Sequence, residues 1–345
     1  MSTRRTVATL GAATVLAAGL GGCRITGWSD TPSHAVAATA STWLAGQQLP
    51  DGSFEVAGFP GFETADAVIA IAENAQTDGS WNQALALSAV QATQNNGNDP
   101  LDALDDQADG TLNAGSAAKI TALVALPLGL SPTAFDPQGD GARDLIAVID
   151  SGLQPNGSYG AFGATLMSAI AKKASGGSVP ATTLAYIRAA QKADGSWDYL
   201  GDPSGTGTDV DTTSQAIIAL GAAGLDDTDA DVADGLDFLA NQQSASGAWQ
   251  AYGTDDPNAT AMATMAITGA GHNPLSACWR NKFAPAKSGD PYVSPTTWLA
   301  SQQAIDGHIT SPNDGWGLNT YATSQAIQAL RRQWMPATAI SARPC

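Results

Sequence analysis

Apolar positions recur along this chain at helical rather than alternating spacing. Residues 34–47 set the pattern, with Val36, Ala40, Trp43 and Leu44 on one face of a helix. Pro50-Asp51-Gly52 stops it, and the run from Glu63 to Asn74 predicts a second helix paired with the first. The same succession of helix, turn and helix then returns. An Asp78-Gly79-Ser80-Trp81 turn precedes a helix through Gln91, and Asp99-Pro100 and Asp109-Gly110 punctuate the way to a helix near 115–126. The third pair is 143–152 with 162–173, and the fourth 181–191 with 212–221. The fifth is 231–243 with 260–268, and the sixth 296–303 with 320–332. No region reads as a strand.

The turns share a composition. Gln191-Lys192-Ala193-Asp194-Gly195-Ser196-Trp197 leads to Thr212-Thr213-Ser214-Gln215-Ala216, and Gln243 to Trp249 leads to Thr260-Ala261-Met262-Ala263. Gln48 to Phe54 leads to Thr64-Ala65-Asp66-Ala67, and Gln303-Ala304-Ile305-Asp306-Gly307 leads to Thr323-Ser324-Gln325-Ala326. Glycine supplies the positive φ of a tight turn, the glutamine amide can bond main chain left open there, and the aromatic covers the helix end. The hydroxyls of Thr64, Thr213, Thr260 and Thr323 fit a cap or first-turn position, and the alanine three residues on allows close helix contact. One pair cannot bury its apolar face alone, so the pairs must stack on neighbours. Six pairs closing on themselves give an all-α ring of inner helices inside outer ones.

Composition changes the picture in three ways. Of 345 residues 43% are hydrophobic, enough for a packed core, while only 6% are aromatic, so helices must meet through small side chains. Thirty-two Asp and Glu against 15 Lys and Arg give a net charge of -17, which excludes nucleic acid as a partner. Arg4-Arg5, an uncharged run to Leu20 and Leu20-Gly21-Gly22-Cys23 read as a signal segment over residues 1–22, similar to the lipobox of bacterial lipoproteins. Cys23 is then the lipidated N-terminus, with simple secretion as the alternative. Residues 23–33 form a tether, 34–335 the helical domain and 336–345 a tail. The chain is accordingly expected at the outer face of the cell membrane, where Cys278 and Cys345 are expected to form a disulfide.

The repeated turn resembles the QW motif of the prenyltransferase and squalene cyclase repeat superfamily. That resemblance covers about residues 34–335 and implies an α6/α6 toroid. It is specific at Gln191–Trp197 and Gln243–Trp249, good at Gln48–Phe54 and partial in the sixth pair, where His308 or Ile309 replaces the aromatic and Trp316 is a substitute through a longer loop. Asp209-Val210-Asp211-Thr212-Thr213 looks like the Asp-x-Asp-Asp motif of class II terpene cyclases, in which a protonated Asp in an apolar cavity starts carbocation cyclisation. The resemblance implies Asp211 as proton donor and Asp209 as its partner. The same residues also make a good helix N-cap. Few aromatics stand near the second-helix starts to stabilise cations, namely Tyr159, Phe162 and Tyr321. Class II cyclases of the superfamily place the site between two helical domains, and this chain offers one. The zinc set of the protein prenyltransferases is missing, because Ser276 stands where their Asp would precede Cys278.

Two further acidic patterns stand out. Asp227-Thr228-Asp229-Ala230-Asp231 alternates carboxylates like a calcium loop, but lacks the Gly and distal Glu, and reads as the acidic first turn of a helix. Carboxylate pairs able to serve a glycosidase (Asp209 and Asp211, Asp255 and Asp256, Glu63 and Asp66) are not singled out by any pattern. The resulting expectation is an exported, lipid-anchored toroid, non-catalytic, that binds a small hydrophobic or isoprenoid-like ligand in its central cavity. It calls for no cofactor and no metal. The residues expected to reach that cavity are Glu63, Asp66, Tyr159, Phe162, Asp209, Asp211, Gln215, Met262, Tyr321 and Gln325. The alternatives are a terpene cyclase or prenyl-transfer relative using Asp211, and a structural envelope protein.

Overall fold

The computed structural model describes residues 31–55, 61–77, 81–207, 209–315 and 317–332. Cys23, the Asp78–Ser80 part of the second turn, Trp316 and Cys345 lie outside them, and with them the expected lipidation and disulfide. The chain forms α1 (Thr31–Ala45), α2 (Thr64–Ala75), α3 (Gln83–Ala92) and α4 (Pro100–Asp109). Next come α5 (Ala114–Ile120), a π-helical stretch (Thr121–Ala125) and α6 (Leu126–Leu128), which run on as one rod. Then follow α7 (Leu145–Ser151), α8 (Phe162–Ala174), α9 (Ala181–Ala189), α10 (Val210–Ala222) and α11 (Ala230–Gln242). The last elements are β1 (Trp249–Ala251), β2 (Thr254–Asp256), α12 (Pro257–Gly269), α13 (Ala277–Phe283), α14 (Pro295–Ser301) and α15 (Thr320–Arg331).

Contacts between these helices close a ring: α2 meets the α5–α6 rod, which meets α8, and α8, α10, α12 and α15 follow in turn, with α15 returning to α2. The remaining helices lie outside them. This is the α6/α6 toroid. Its inner helices touch through small residues: Ala67, Ala216, Ala263 and Ala326 are all buried. A Cβ added to Gly115 on α5 would lie 2.8 Å from the Cβ of Ala164 on α8. The π stretch has a local cause, since Pro127 offers no N–H and its ring would crowd the carbonyl of Leu123 in a regular helix.

The repeated turn is a joint in three directions. The side-chain amides of Gln48, Gln191, Gln243 and Gln303 each donate to the carbonyl of the turn glycine four residues on (3.0–3.1 Å). That of Gln191 also donates to Asp231 O on α11, and that of Gln303 to Val36 O on α1, tying the last hairpin to the first. The backbone N–H of the residue at the aromatic position donates to the inner-helix threonine in five hairpins. The pairs are Phe54 with Thr64, Tyr159 with Thr165, Trp197 with Thr213, Trp249 with Thr260 and Ile309 with Thr323 (2.9–3.1 Å). The threonines thus anchor the turn, and Ile309, fully buried, takes the aromatic place in the sixth pair. Gly195 has φ +82°, and a Cβ there would lie 2.2 Å from Asp234 O on α11. Gly195→Ala is therefore expected to lower stability by about 2 kcal/mol or more, read as a shift in the urea midpoint; a change below about 0.5 kcal/mol would refute the close approach.

Three expectations are corrected. The stretch between 91 and 115, to which the spacing assigns no helix, contains α4, which starts with Pro100 and a capping box between Asp99 and Asp102. Helix α13 likewise fills a stretch left without an element. A short hairpin exists where no strand was expected, with Trp249 paired to Asp256. The acidic run around Asp229 does cap a helix: Asp229 Oδ1 accepts the Asp231 N–H, and Arg188 bridges Asp229 (2.6 Å) and Asp231 (2.5 Å).

Candidate active site

The six inner helices enclose a cavity of about 630 Å³, a volume ordinary for a small-molecule site. Its lining follows helical spacing, with Asp211, Gln215 and Ile218 on α10, Tyr321, Gln325 and Gln328 on α15, and Asp66 and Ile69 on α2. On α2 and α10 the polar lining residues lie in the first turns and Ile69 and Ile218 deeper, whereas α15 presents Gln325 and Gln328 along its length. From Asp211 to Ile218 the step is about 10 Å at 1.5 Å per residue. Leu123, Met167, Ile170, Met262 and Met265 complete the apolar part.

Asp209 and Asp211 have separate places. Asp209 is the N-cap of α10: its Oδ1 accepts the N–H of Asp211 (2.9 Å) and of Thr212 (3.3 Å), and its Oδ2 accepts the Thr212 hydroxyl (2.8 Å). It is not among the cavity-lining residues. Asp211, in the first turn, borders the cavity, and its Oδ1 is buried with no hydrogen-bond partner among the described residues. Removal from water, then the nearby carboxylates of Asp209 and Asp256, push its carboxyl up to about 8. At neutral pH it therefore carries a proton, at the polar end of the cavity. Asp256 is held as the N-cap of α12, accepting the Ala259 N–H and the Asn313 amide (both 2.9 Å).

Opposite this acid stands an aromatic and cationic group. Tyr321 accepts a hydrogen bond from the Gln325 amide (2.8 Å), and its ring lies 5.0 Å from that of Phe62. Burial, then the charges of Asp66, Asp211 and Glu63, hold the Tyr321 hydroxyl well above its usual range, so it stays neutral. Lys119 pairs with Asp66 (2.5 Å) and sits 4.9 Å from the centre of the Phe62 ring. Glu55 fixes this corner: its carboxylate accepts the N–H groups of Phe62, Glu63 and Thr64 and the Thr64 hydroxyl (2.6–3.0 Å).

Of the residues expected at the cavity, Asp66, Asp211, Gln215, Met262, Tyr321 and Gln325 line it. Asp209 does not, for the reason given. Tyr159 and Phe162 do not line it either. Tyr159 is the turn aromatic of the third hairpin, and Phe162 packs against Tyr186 (6.1 Å) and beneath Gly201. Glu63 borders a smaller neighbouring pocket of about 350 Å³ and accepts the Thr320 hydroxyl (2.5 Å) across the α2–α15 junction. Burial, against that hydrogen bond and with the repulsion of Glu55, raises it to about 7. Phe62, Lys119, Met167, Met265 and Gln328 were missed. Phe62 adjoins Glu63 at the start of α2 and was the one legible omission.

No protein-family model and no curated protein sequence matches the chain. Its fold is that of the terpenoid cyclases. The type II terpene cyclase MstE from Scytonema superposes with a TM-score of 0.62 at 14% identity, over 88% of this chain and 99% of that one. A variant of MstE in complex with geranylgeranyl dihydroxybenzoate, its substrate, gives 0.60 at 16% identity, over 88% and 97%. A protein from Actinoplanes gives 0.55 at 16% identity, over 86% and 99%. At these identities the likeness is one of fold.

Proposed function

We propose that the chain is a type II terpene cyclase-like enzyme that cyclises an isoprenoid by proton transfer from Asp211. The observation carrying this reading is the place of Asp211, which borders the central cavity with its Oδ1 buried and without a hydrogen-bond partner among the described residues, where burial raises its carboxyl. Protonating a terminal trisubstituted alkene needs an acid whose proton is present, a site without bulk water and walls that do not trap a cation. The O–H bond of Asp211 breaks as a C–H bond forms, leaving a tertiary cation that the next alkene of the chain attacks. A proton lost at the end of the cascade balances the one delivered, so the product is an isomer of the substrate. Phe62 and Tyr321, rather than Tyr159 and Phe162, bring aromatic rings to the cavity wall, where Lys119 lies over both at 4.9 and 5.7 Å.

Two grounds for preferring a non-catalytic carrier lose their weight. Capping falls to Asp209 and leaves Asp211 without that task. A second helical domain is not required, since 88% of this chain spans 99% of MstE, itself a type II cyclase. The neighbour's substrate suggests an isoprenoid chain bearing a polar head as the class to try. Incubation with geranylgeranyl dihydroxybenzoate and with simpler polyprenyl compounds, followed by mass spectrometry for an isomer of altered retention, tests the reading. Stoichiometric binding without any isomer would return the protein to the carrier reading.

Anchoring through Cys23 at the outer membrane face is part of the proposal. Cys23→Ser is expected to move the protein from the membrane fraction to the soluble fraction; unchanged membrane association would refute the anchor.

A further inference from the structure

A second concentration of carboxylates lies in the outer layer, where the loop between α6 and α7 folds back on α4. Asp105 on α4 is 1% exposed. Its Oδ2 accepts the Gln138 N–H (2.7 Å), while its Oδ1 is buried with no hydrogen-bond partner among the described residues. One carboxylate oxygen from each of Asp105, Asp136 and Asp140 lies within 4.8 Å of the other two. The loop is wound to hold this arrangement: Asp136 Oδ1 accepts the N–H groups of Gly139 (2.7 Å), Asp140 (2.9 Å) and Gly141 (3.3 Å). The Gln138 amide bonds Asp102 O (2.9 Å) and Asp106 Oδ1 (3.3 Å), docking the loop on the helix.

The ion pairs of the described residues all lie elsewhere. A buried carboxylate oxygen without a donor, beside two further carboxylates, is unfavourable unless a proton or a cation joins it.

We propose that Asp105, Asp136 and Asp140 bind a calcium ion that pins the loop of residues 131–144 to α4. All-oxygen donors exclude the soft metals. Calcium takes six to eight oxygens in flexible geometry and suits three carboxylates brought together by a loop and a helix, whereas magnesium demands a near-ideal octahedron and keeps most of its waters. Asp136 is half-buried and Asp140 exposed, so the site opens to solvent on their side and water can complete the coordination. The site shares no residue with the central cavity and stands apart from the proposed reaction.

The test uses the full chain, stripped with EGTA and titrated with calcium chloride. Equilibrium dialysis is expected to give one tightly held ion per chain, and Tm to rise by about 3 °C at a hundredfold excess over Kd. Because the chain carries -17, calcium could act merely by screening, and two variants separate the cases. Asp140→Asn, at an exposed position, is expected to unfold at or above the parent Tm without calcium and to weaken calcium binding at least tenfold. Asp234→Asn, also exposed but on α11, is expected to keep the full response. Equal responses of the two variants, no bound calcium in dialysis, or an equal response to magnesium chloride would each overturn the assignment.

Discussion

Asp211→Asn is expected to abolish isomer formation from a polyprenyl substrate, by about a thousandfold or more, the scale of a lost general acid. The amide keeps the shape of the side chain and cannot deliver the proton. Substrate binding is expected to change little, because the apolar wall from Ile69 to Met265 is untouched. The same variant carries an opposite signature in stability. The Asp211 carboxyl titrates at about 8 in the folded chain against an ordinary 3.8, because burial, first, and its acidic neighbours disfavour the charge. Between about pH 4 and 8 the folded protein holds this proton and the unfolded chain releases it. The stability it contributes is complete below pH 4 and is lost as pH rises through 8. At pH 9 the parent carries a buried charge that the variant lacks, so Asp211→Asn is expected to be the more stable by on the order of 2 kcal/mol, with little difference at pH 4. Activity of the parent is expected to fall above about pH 8. Asp209→Ala serves as the contrast: it is expected to lose about 1 kcal/mol of cap stability at both pH values. Turnover that survives Asp211→Asn, or an Asn variant less stable than the parent at pH 9, would sink the proton-donor assignment.

Trp197→Ala is expected to lower stability by about 3–5 kcal/mol, a large share of the 5–15 kcal/mol typical of a folded domain. The indole is fully buried, donates to Ile187 O (2.8 Å) near the end of α9, and packs against Gly235 of α11, where a Cβ would come 3.1 Å from its ring. One side chain therefore joins two outer helices, while its backbone N–H holds Thr213 of α10 (3.0 Å). Trp197→Phe separates the contributions: the ring volume is largely kept and the hydrogen bond is lost, so about 1–2 kcal/mol is expected. Trp249 repeats the arrangement through Leu239 O (2.8 Å), and its variants are expected to follow the same order. Chemical denaturation of the four variants measures this. A Trp197→Ala effect under 1 kcal/mol would mean that neighbouring hairpins hold together without the turn.

The hairpin repeat was legible in the sequence because its determinants are local. Gln191, Gly195 and Trp197 act within seven residues, and Thr213 lies at a fixed distance from the start of its helix, so spacing alone exposes the unit. The acidic first turns were legible for the same reason, as the N-caps of Asp209 and Asp229 show. Which carboxylate caps and which one faces the cavity was decided by the rotation of α10 about its own axis. That rotation is set by α8 and α12 packing on either side. The inner helices are buried on nearly every face, so apolar periodicity marks no direction toward the centre. For that reason Lys119 and Met167 carry no signal in the sequence, and Tyr159 and Phe162 are kept from the cavity by the turn and the Gly201 loop. Helix α4 escaped because its polar composition resembles a loop, and its capping box became informative only beside the helix it starts. The meeting of Asp105 with Asp136 and Asp140 joins residues more than thirty positions apart, which no local pattern encodes and only the closed tertiary structure brings together.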